Sequence, residues 1–249
     1  MEKQIPKIND EPIVQEYISM LLDNDKKKEY KDTEELLQYI VGMEKQFEEV
    51  VKELHDVKEL LNGLQNPTTK MRLSNAVDKV QISIDNGKNK LNKLKVNLIS
   101  SMKECLASFK EKGKEGIVKT INVLHFREAL KGIRSSLFDA SFKMDDVVRT
   151  CDLVTSEMRK SKNHFRNAGR LLMGRPVQHN SDDKIKLNAI QKCSRSVASK
   201  LDSMDRSVKK MINRIDSLEK SSVRNELHSL KDNSKTQEMK IHEKKEQSR

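Results

Sequence analysis

Tryptophan is absent from the 249 residues, and aromatic side chains of any kind make up only 4% of them. Aromatic rings bury the most area per residue, so the core of this chain must be a narrow seam of Leu, Ile, Val, Met and Ala. Cysteine is almost as scarce. Cys105, Cys151 and Cys193 are an odd set, 46 and 42 residues apart and without a CxxC pair. That excludes a disulfide framework and a cysteine zinc site, and it fits a reducing compartment. The six histidines never fall three or four residues apart, and neither HExxH nor ExxH occurs, so no helix face carries a pair of metal ligands. The eight glycines are scattered and form no GxGxxG, GxxxxGK[ST] or GxSxG. Phosphate-cradling loops and nucleophile elbows are excluded with them. No catalytic residue, metal or cofactor is expected, and the chain reads as a non-enzyme.

Long apolar runs are missing too. No stretch approaches the roughly eighteen consecutive apolar residues of a membrane span, and the opening MEKQIPKINDEPIV holds no apolar segment of a secretory signal. A cytoplasmic protein is the expectation. Proline occurs only at positions 6, 12, 67 and 176, which marks the joints and leaves long intervals free for continuous helix.

What is present is periodicity, in a chain that is 35% hydrophobic and 35% charged. A first helix is predicted to open at Asp10 or Glu11 with Pro12 in its first turn, and Ile13, Val14, Tyr17, Ile18, Leu21 and Leu22 form its apolar face. The polar run from Asn24 to Lys31 reads as a linker, and Asp32 or Thr33 as the cap of a second helix. That helix carries Leu36, Ile40, Met43, Phe47, Val50, Leu54, Val57, Leu61 and Leu64, whose steps alternate four and three. Such a heptad seam suits a partner helix, so Leu36 to Leu61 are candidate partner contacts. A third helix, about 69–112, continues the rhythm through Leu73, Val77, Val80, Ile84, Gly87, Leu91, Leu94 and Leu98. It then shifts by a stutter to Met102, Cys105 and Phe109. EKGKEG at 111–116 ends it. The fourth, 117–173, shows the longest seam, from Val123 through Leu137, Met144, Val147 and Cys151 to Leu172. A fifth, 182–230, runs through Leu187, Ile190, Cys193, Val197, Leu201, Met204, Val208, Met211, Ile215 and Leu218, with a stutter near Lys200, and weakens after that. Residues 231–249 have no period and read as a disordered tail.

The fold class is therefore all-α, an elongated bundle of long coiled-coil-like helices with short joints. Its divisions are a short helix and linker (1–31), an acidic helix (32–66), a basic long-helix bundle (67–230) and the tail. Each cysteine falls on a seam and reads as a small buried hydrophobe.

Charge is unevenly placed. Residues 1–66 hold nine Lys and no Arg against 16 Asp and Glu, a net of −7, while residues 67–249 carry +18. The densest basic runs are Lys88, Lys90, Lys93 and Lys95, and then Arg159, Lys160, Lys162, Arg166, Arg170 and Arg175. They are candidate contacts to an anionic partner, although solvated helix faces explain most such runs. The acidic segment packing on the basic bundle would neutralise both. A nucleic-acid backbone would also take up the cations, but no helix-turn-helix, zinc finger or stacking platform accompanies them. A membrane surface suits the sequence less, because the seams are narrow and Trp is absent.

Four segments carry a resemblance: PIVQEYISML at 12–21, YIVGMEKQFEEVVKEL at 39–54, LHFREALKGIRSSL at 124–137 and HFRNAGRLLMGRP at 164–176. They resemble a domain-of-unknown-function family of helical proteins carried on integrative and conjugative mobile elements of Gram-positive bacteria. The resemblance implies a bacterial cytoplasmic protein linked to a mobile element and assigns no functional residue. The function expected is a helical interaction or scaffold protein, binding a protein partner or itself through its seams. A sequence-nonspecific nucleic-acid-binding accessory is the alternative.

Overall fold

The structure, a computed structural model, describes residues 8–116, 123–172 and 186–217, with the side chains of 115, 116, 123–125, 158, 159 and 161–172 outside the description. Every regular element among the described residues is helical. A single 3₁₀ turn at Ile8–Asp10 precedes α1 (Pro12–Asp23), α2 (Lys27–Asn62), α3 (Pro67–Lys112) and α4 (Val123–Leu172). A fifth helix, α5, covers residues 186–217. The expected outer parts of that helix, 182–185 and 218–230, and the tail lie outside the described residues.

Proline and asparagine set the starts. Pro12 and Pro67 each occupy the first turn, where their missing N–H is no loss, and the Asn66 side chain accepts from the Thr69 amide at 3.0 Å. The second helix differs from the sequence reading. It begins at Lys27, six residues before Thr33, because the joint needs only Asn24, Asp25 and Lys26. Asp25 takes a positive φ of 56° and the Lys26 amide donates back to the Leu21 carbonyl, a turn that a short polar side chain tolerates. Polar composition was thus no sign of a linker, and Thr33 is buried inside α2. On α1 the apolar face is rotated relative to expectation, with Met20 buried and Leu22 exposed. The EKGKEG segment ends α3 in a 3₁₀ turn at Gly113–Gly116, with Gly113 at a φ of +61°.

Long-range pairs give the topology. Lys58 reaches Asp78 and Lys95 reaches Glu44, so α2 and α3 run antiparallel. Ser83 meets Asp139, and Lys90 meets Gly132, which sets α4 antiparallel to α3. Arg134 pairs with Asp205, Ser141 with Asp202 and Gln191 with Asp152, placing α5 antiparallel to α4. Lys200 bridges Glu49 and Glu53, and Lys186 donates to the Gly63 carbonyl, which returns α5 to α2. Four helices therefore close an up-down-up-down ring. The short α1 packs on α2 and α3, with Glu16 2.9 Å from Lys110.

The seams fill this ring. Among the described side chains of α4 the buried apolar positions are Phe126, Leu130, Ile133, Leu137, Ala140, Met144, Val147 and Cys151, while Val154 is half-buried. Gly87 lets α2 approach α3, since a Cβ there would stand 2.9 Å from the Phe47 ring. The chain divides into two compact units, Met1–Val208 and Lys209–Arg249. In the second, residues 209–217 are helical with Met211 and Ile215 buried.

One seam needs correction. At this turn of α5 the fully buried residue is Ser194, and Cys193 is half-buried beside it. With Ser194 counted, Leu187, Ile190, Ser194, Val197, Leu201, Met204 and Val208 alternate three and four without a stutter. Hydropathy had drawn the seam one residue astray. The Ser194 hydroxyl has no hydrogen-bond partner among the described residues, and burying an unpaired hydroxyl is unfavourable. Ser194→Ala is therefore expected to raise stability by about 1 kcal/mol, read as a higher urea midpoint with unchanged slope. A loss of stability would mean that the hydroxyl has a partner.

Candidate functional site

The eight side chains expected to await a partner are taken up within the chain. Leu36, Ile40, Met43, Phe47, Val50, Leu54, Val57 and Leu61 are all buried, at no more than 2% exposure, with α3 and α5 flanking α2. An outside helix meets none of them. The acidic face of α2 is also engaged, since Glu44 pairs with Lys95, and Glu49 and Glu53 with Lys200. The charge asymmetry seen along the sequence is thus partly neutralised inside the ring.

The lysine run on α3 does not form a common face. Lys95 is buried against Glu44 at 3.1 Å, and Lys90 donates to the Gly132 carbonyl at 2.8 Å and the Ser136 hydroxyl at 3.0 Å. Those two ammonium groups are held between helices. Lys88 and Lys93 are exposed, but five residues separate them, about 140° around a helix of 3.6 residues per turn. In the second run Lys160 is exposed, and Arg159, Lys162, Arg166 and Arg170 lie in the α4 segment whose side chains are outside the description. Arg175 lies outside the described residues.

A compact polar cluster that the sequence did not single out sits between α3 and α4. The Ser83 hydroxyl donates to Asp139 at 2.9 Å, and the Lys143 ammonium donates to Ser83 at 2.8 Å and to Asp139 at 2.6 Å. These are the residue types of a serine nucleophile with a lysine base, but the arrangement is wrong for it. A general base must present a lone pair to the hydroxyl, whereas here the ammonium donates to it. Hydrogen bonds from Lys143 first, and then from Ser83, hold the Asp139 carboxyl below its ordinary range. Ser83 is buried, so no reacting atom comes within bonding reach. The cluster pins α3 to α4.

A family model described as a family of unknown function (DUF6674) matches residues 10–249. The chain belongs to the DUF6674 family. Neither a curated protein nor a solved structure matches it.

Two further features of this DUF6674 protein bear on function. Burial, and then the Asp152 charge, push the Cys151 thiol up to about 11, so it carries almost no thiolate at neutral pH. With native protein and iodoacetamide, Cys193 is expected to be alkylated well before Cys151, measured by peptide mass spectrometry. Faster labelling of Cys151 would contradict the burial. No three His, Cys, Asp or Glu side chains among the described residues are grouped to hold a metal ion, and no described helix is long and apolar enough to cross a membrane.

The second feature is the outer face of α4. Phe138 and Phe142 are 70% and 59% exposed, four residues apart, in a chain with only six phenylalanines. The Arg149 guanidinium lies 5.9 Å from the centre of the Phe142 ring, within the range of a cation–π contact. Leu153 continues the face and is also exposed. Sequence reasoning followed the seam and passed over these rings. The signal was there, because two aromatics four apart and off the core stripe cannot both be core.

Proposed function

We propose that this protein is a non-enzymatic helical interaction protein whose docking surface is the outer face of α4, and that it serves a bacterial mobile element in the cytoplasm. The exposed Phe138–Phe142 pair carries the reading. Among the described residues the heptad seams of the ring are filled from within, so an interaction protein of this build needs a second apolar surface. Lys131, Ser135, Phe138, Phe142, Asp145 and Arg149 repeat the four–three steps of a helix seam. The occupant that fits is an amphipathic helix of another protein, with apolar residues over the two rings and a carboxylate near Arg149. The link to a mobile element rests on the segment resemblance alone, and the reducing compartment on the odd number and wide spacing of the cysteines.

The test is Phe138→Ser/Phe142→Ser in full-length protein, with Ile82→Ser on α3 as a control that is equally exposed at 59%. Affinity capture from a bacterial host, followed by reconstitution with the purified partner, is expected to show binding by the parent and the control and loss in the double variant. Equal binding by all three would remove α4 as the surface. Concentration-dependent dimerisation lost in the same variant would replace the partner helix with a second copy.

A further inference from the structure

Of the large apolar side chains that stand more than half exposed, three lie on α3: Met71, Ile82 and Val96. They are 11 and 14 residues apart, close to three and four whole turns, so they fall within about 40° of one another on the helix. Ile82 is nine residues from Leu91, which places this line about 180° from the buried seam of Val80, Ile84 and Leu91. The ring leaves it outward. Ser83 and Lys90 turn to α4, and Lys95 to α2, on either side of it.

Charge along the line is segregated. Asp78 and Asp85 lie on its N-terminal half, Lys93 and Lys103 lie toward its C-terminal end, and no carboxylate occurs from residue 86 to 103. All four are exposed. Asp78 pairs with Lys58 at 3.1 Å, and Asp85 accepts from the neutral Gln81 at 3.1 Å. Lys93 and Lys103 form no ion pair among the described residues.

Such a face complements itself when a second copy runs the other way. With Asn89 on a two-fold axis, residues equally far before and after it stand level, so Ile82 meets Val96 and Asp85 meets Lys93 of the second copy. Asp78 then faces Ser100, one turn from Lys103, and Glu104 falls level with the neutral Ser74. Each contact occurs twice, as in any isologous interface. The Asn89 amides both donate and accept across the axis, and one polar layer in an apolar line fixes the register. A parallel pair would instead set Asp85 against Asp85 and Lys93 against Lys93, which is unfavourable. From Met71 to Val96 the line is about 38 Å long, and a helix about 10 Å across then buries on the order of 800 Å² in all. That size belongs to weak, reversible association.

We infer that the outer face of α3 joins two copies of this chain antiparallel through Ile82, Asp85, Lys93 and Val96, with Asn89 at the axis. The interface is separate from the Phe138–Phe142 face of α4 and does not rest on it. A bilayer is the less fitting occupant, because Asp78, Asp85 and Asn89 lie among the three apolar residues of the line.

Sedimentation equilibrium of the full-length chain tests this as reversible dimerisation, with a dissociation constant on the order of 10 μM for an interface of this size. Asp85→Lys and Lys93→Glu each set like charges opposite one another twice per dimer, and each is expected to weaken it at least about tenfold. Mixed in equal amounts, the two variants should form a heterodimer of parental strength, because every like pair is then replaced by an opposite one. A parallel pair already opposes like charges in the parent, so neither single variant would weaken it. Val96→Ser, which alters no charge, should also weaken the dimer, and Phe138→Ser/Phe142→Ser should leave it at parental strength. Circular dichroism checks that each variant keeps its helix. The inference is overturned if the parent stays monomeric at about 100 μM, if Val96→Ser or either charge variant dimerises like the parent, if the mixture does not recover, or if Phe138→Ser/Phe142→Ser loses the dimer.

Discussion

Val147→Asp is expected to cost about 4 kcal/mol or more, enough to leave a domain of ordinary stability largely unfolded at room temperature. Val147 is fully buried in the α4 seam, between Met144 and Cys151, and a carboxylate there either loses its hydration or takes up a proton, unfavourable in both cases. Arg149→Glu, two residues along, is the matched control. Arg149 is exposed, and its ring contact with Phe142 is a surface interaction, so its loss should cost about 0.5–1 kcal/mol. Urea titrations of the two variants followed by circular dichroism check this. Equal midpoints would mean that α4 is rotated from the placement described.

Glu44→Ala should have the next largest effect, about 3 kcal/mol. Lys95 is only 5% exposed, and the Glu44 carboxylate meets its ammonium at 3.1 Å across α2 and α3. Removing the carboxylate leaves a buried cation without that partner, which is more unfavourable than removing both groups. The double variant Glu44→Leu/Lys95→Met is accordingly expected to recover most of the loss. A double-mutant cycle by urea unfolding measures the coupling, and additive losses would show that the pair does not act as a unit.

The architecture was legible because helices with one apolar stripe announce both their period and their partner-facing side. Phe47, Leu94, Leu137 and Leu201 are all buried where the seam spacing places them. Registers between helices were not legible, since they depend on contacts such as Ser83 with Asp139 that join residues 56 apart. Hydropathy failed where the ring accepted a polar residue, as at Ser194, and where an exposed ring mattered, as at Phe138. It also mistook a polar helix start at Lys27 for a linker. The α2 seam was read correctly as a helix-binding surface, but a sequence does not say that α3 and α5 are the helices that fill it.

Lysine patterns were the least informative for the same reason. Lys88, Lys90, Lys93 and Lys95 read as one basic run, yet two are held between helices and two point apart. A run of like charge along a chain becomes a surface only when helical spacing and neighbouring registers agree.

The chain closes its own ring, with α5 returning to cover α2 so that the α2 seam is filled from within. Spin labels on Lys52→Cys and Ser199→Cys, in a chain with the three native cysteines replaced by alanine, test it by pulsed electron resonance. Both positions are exposed, and they flank the Lys200 contact to Glu49 and Glu53. Adjacent helices with axes about 10 Å apart predict a single label-to-label distance on the order of 20–30 Å once both label arms are included. A distribution centred beyond about 40 Å, four times that interaxial spacing, would contradict the closed ring and return the α2 seam to an outside partner.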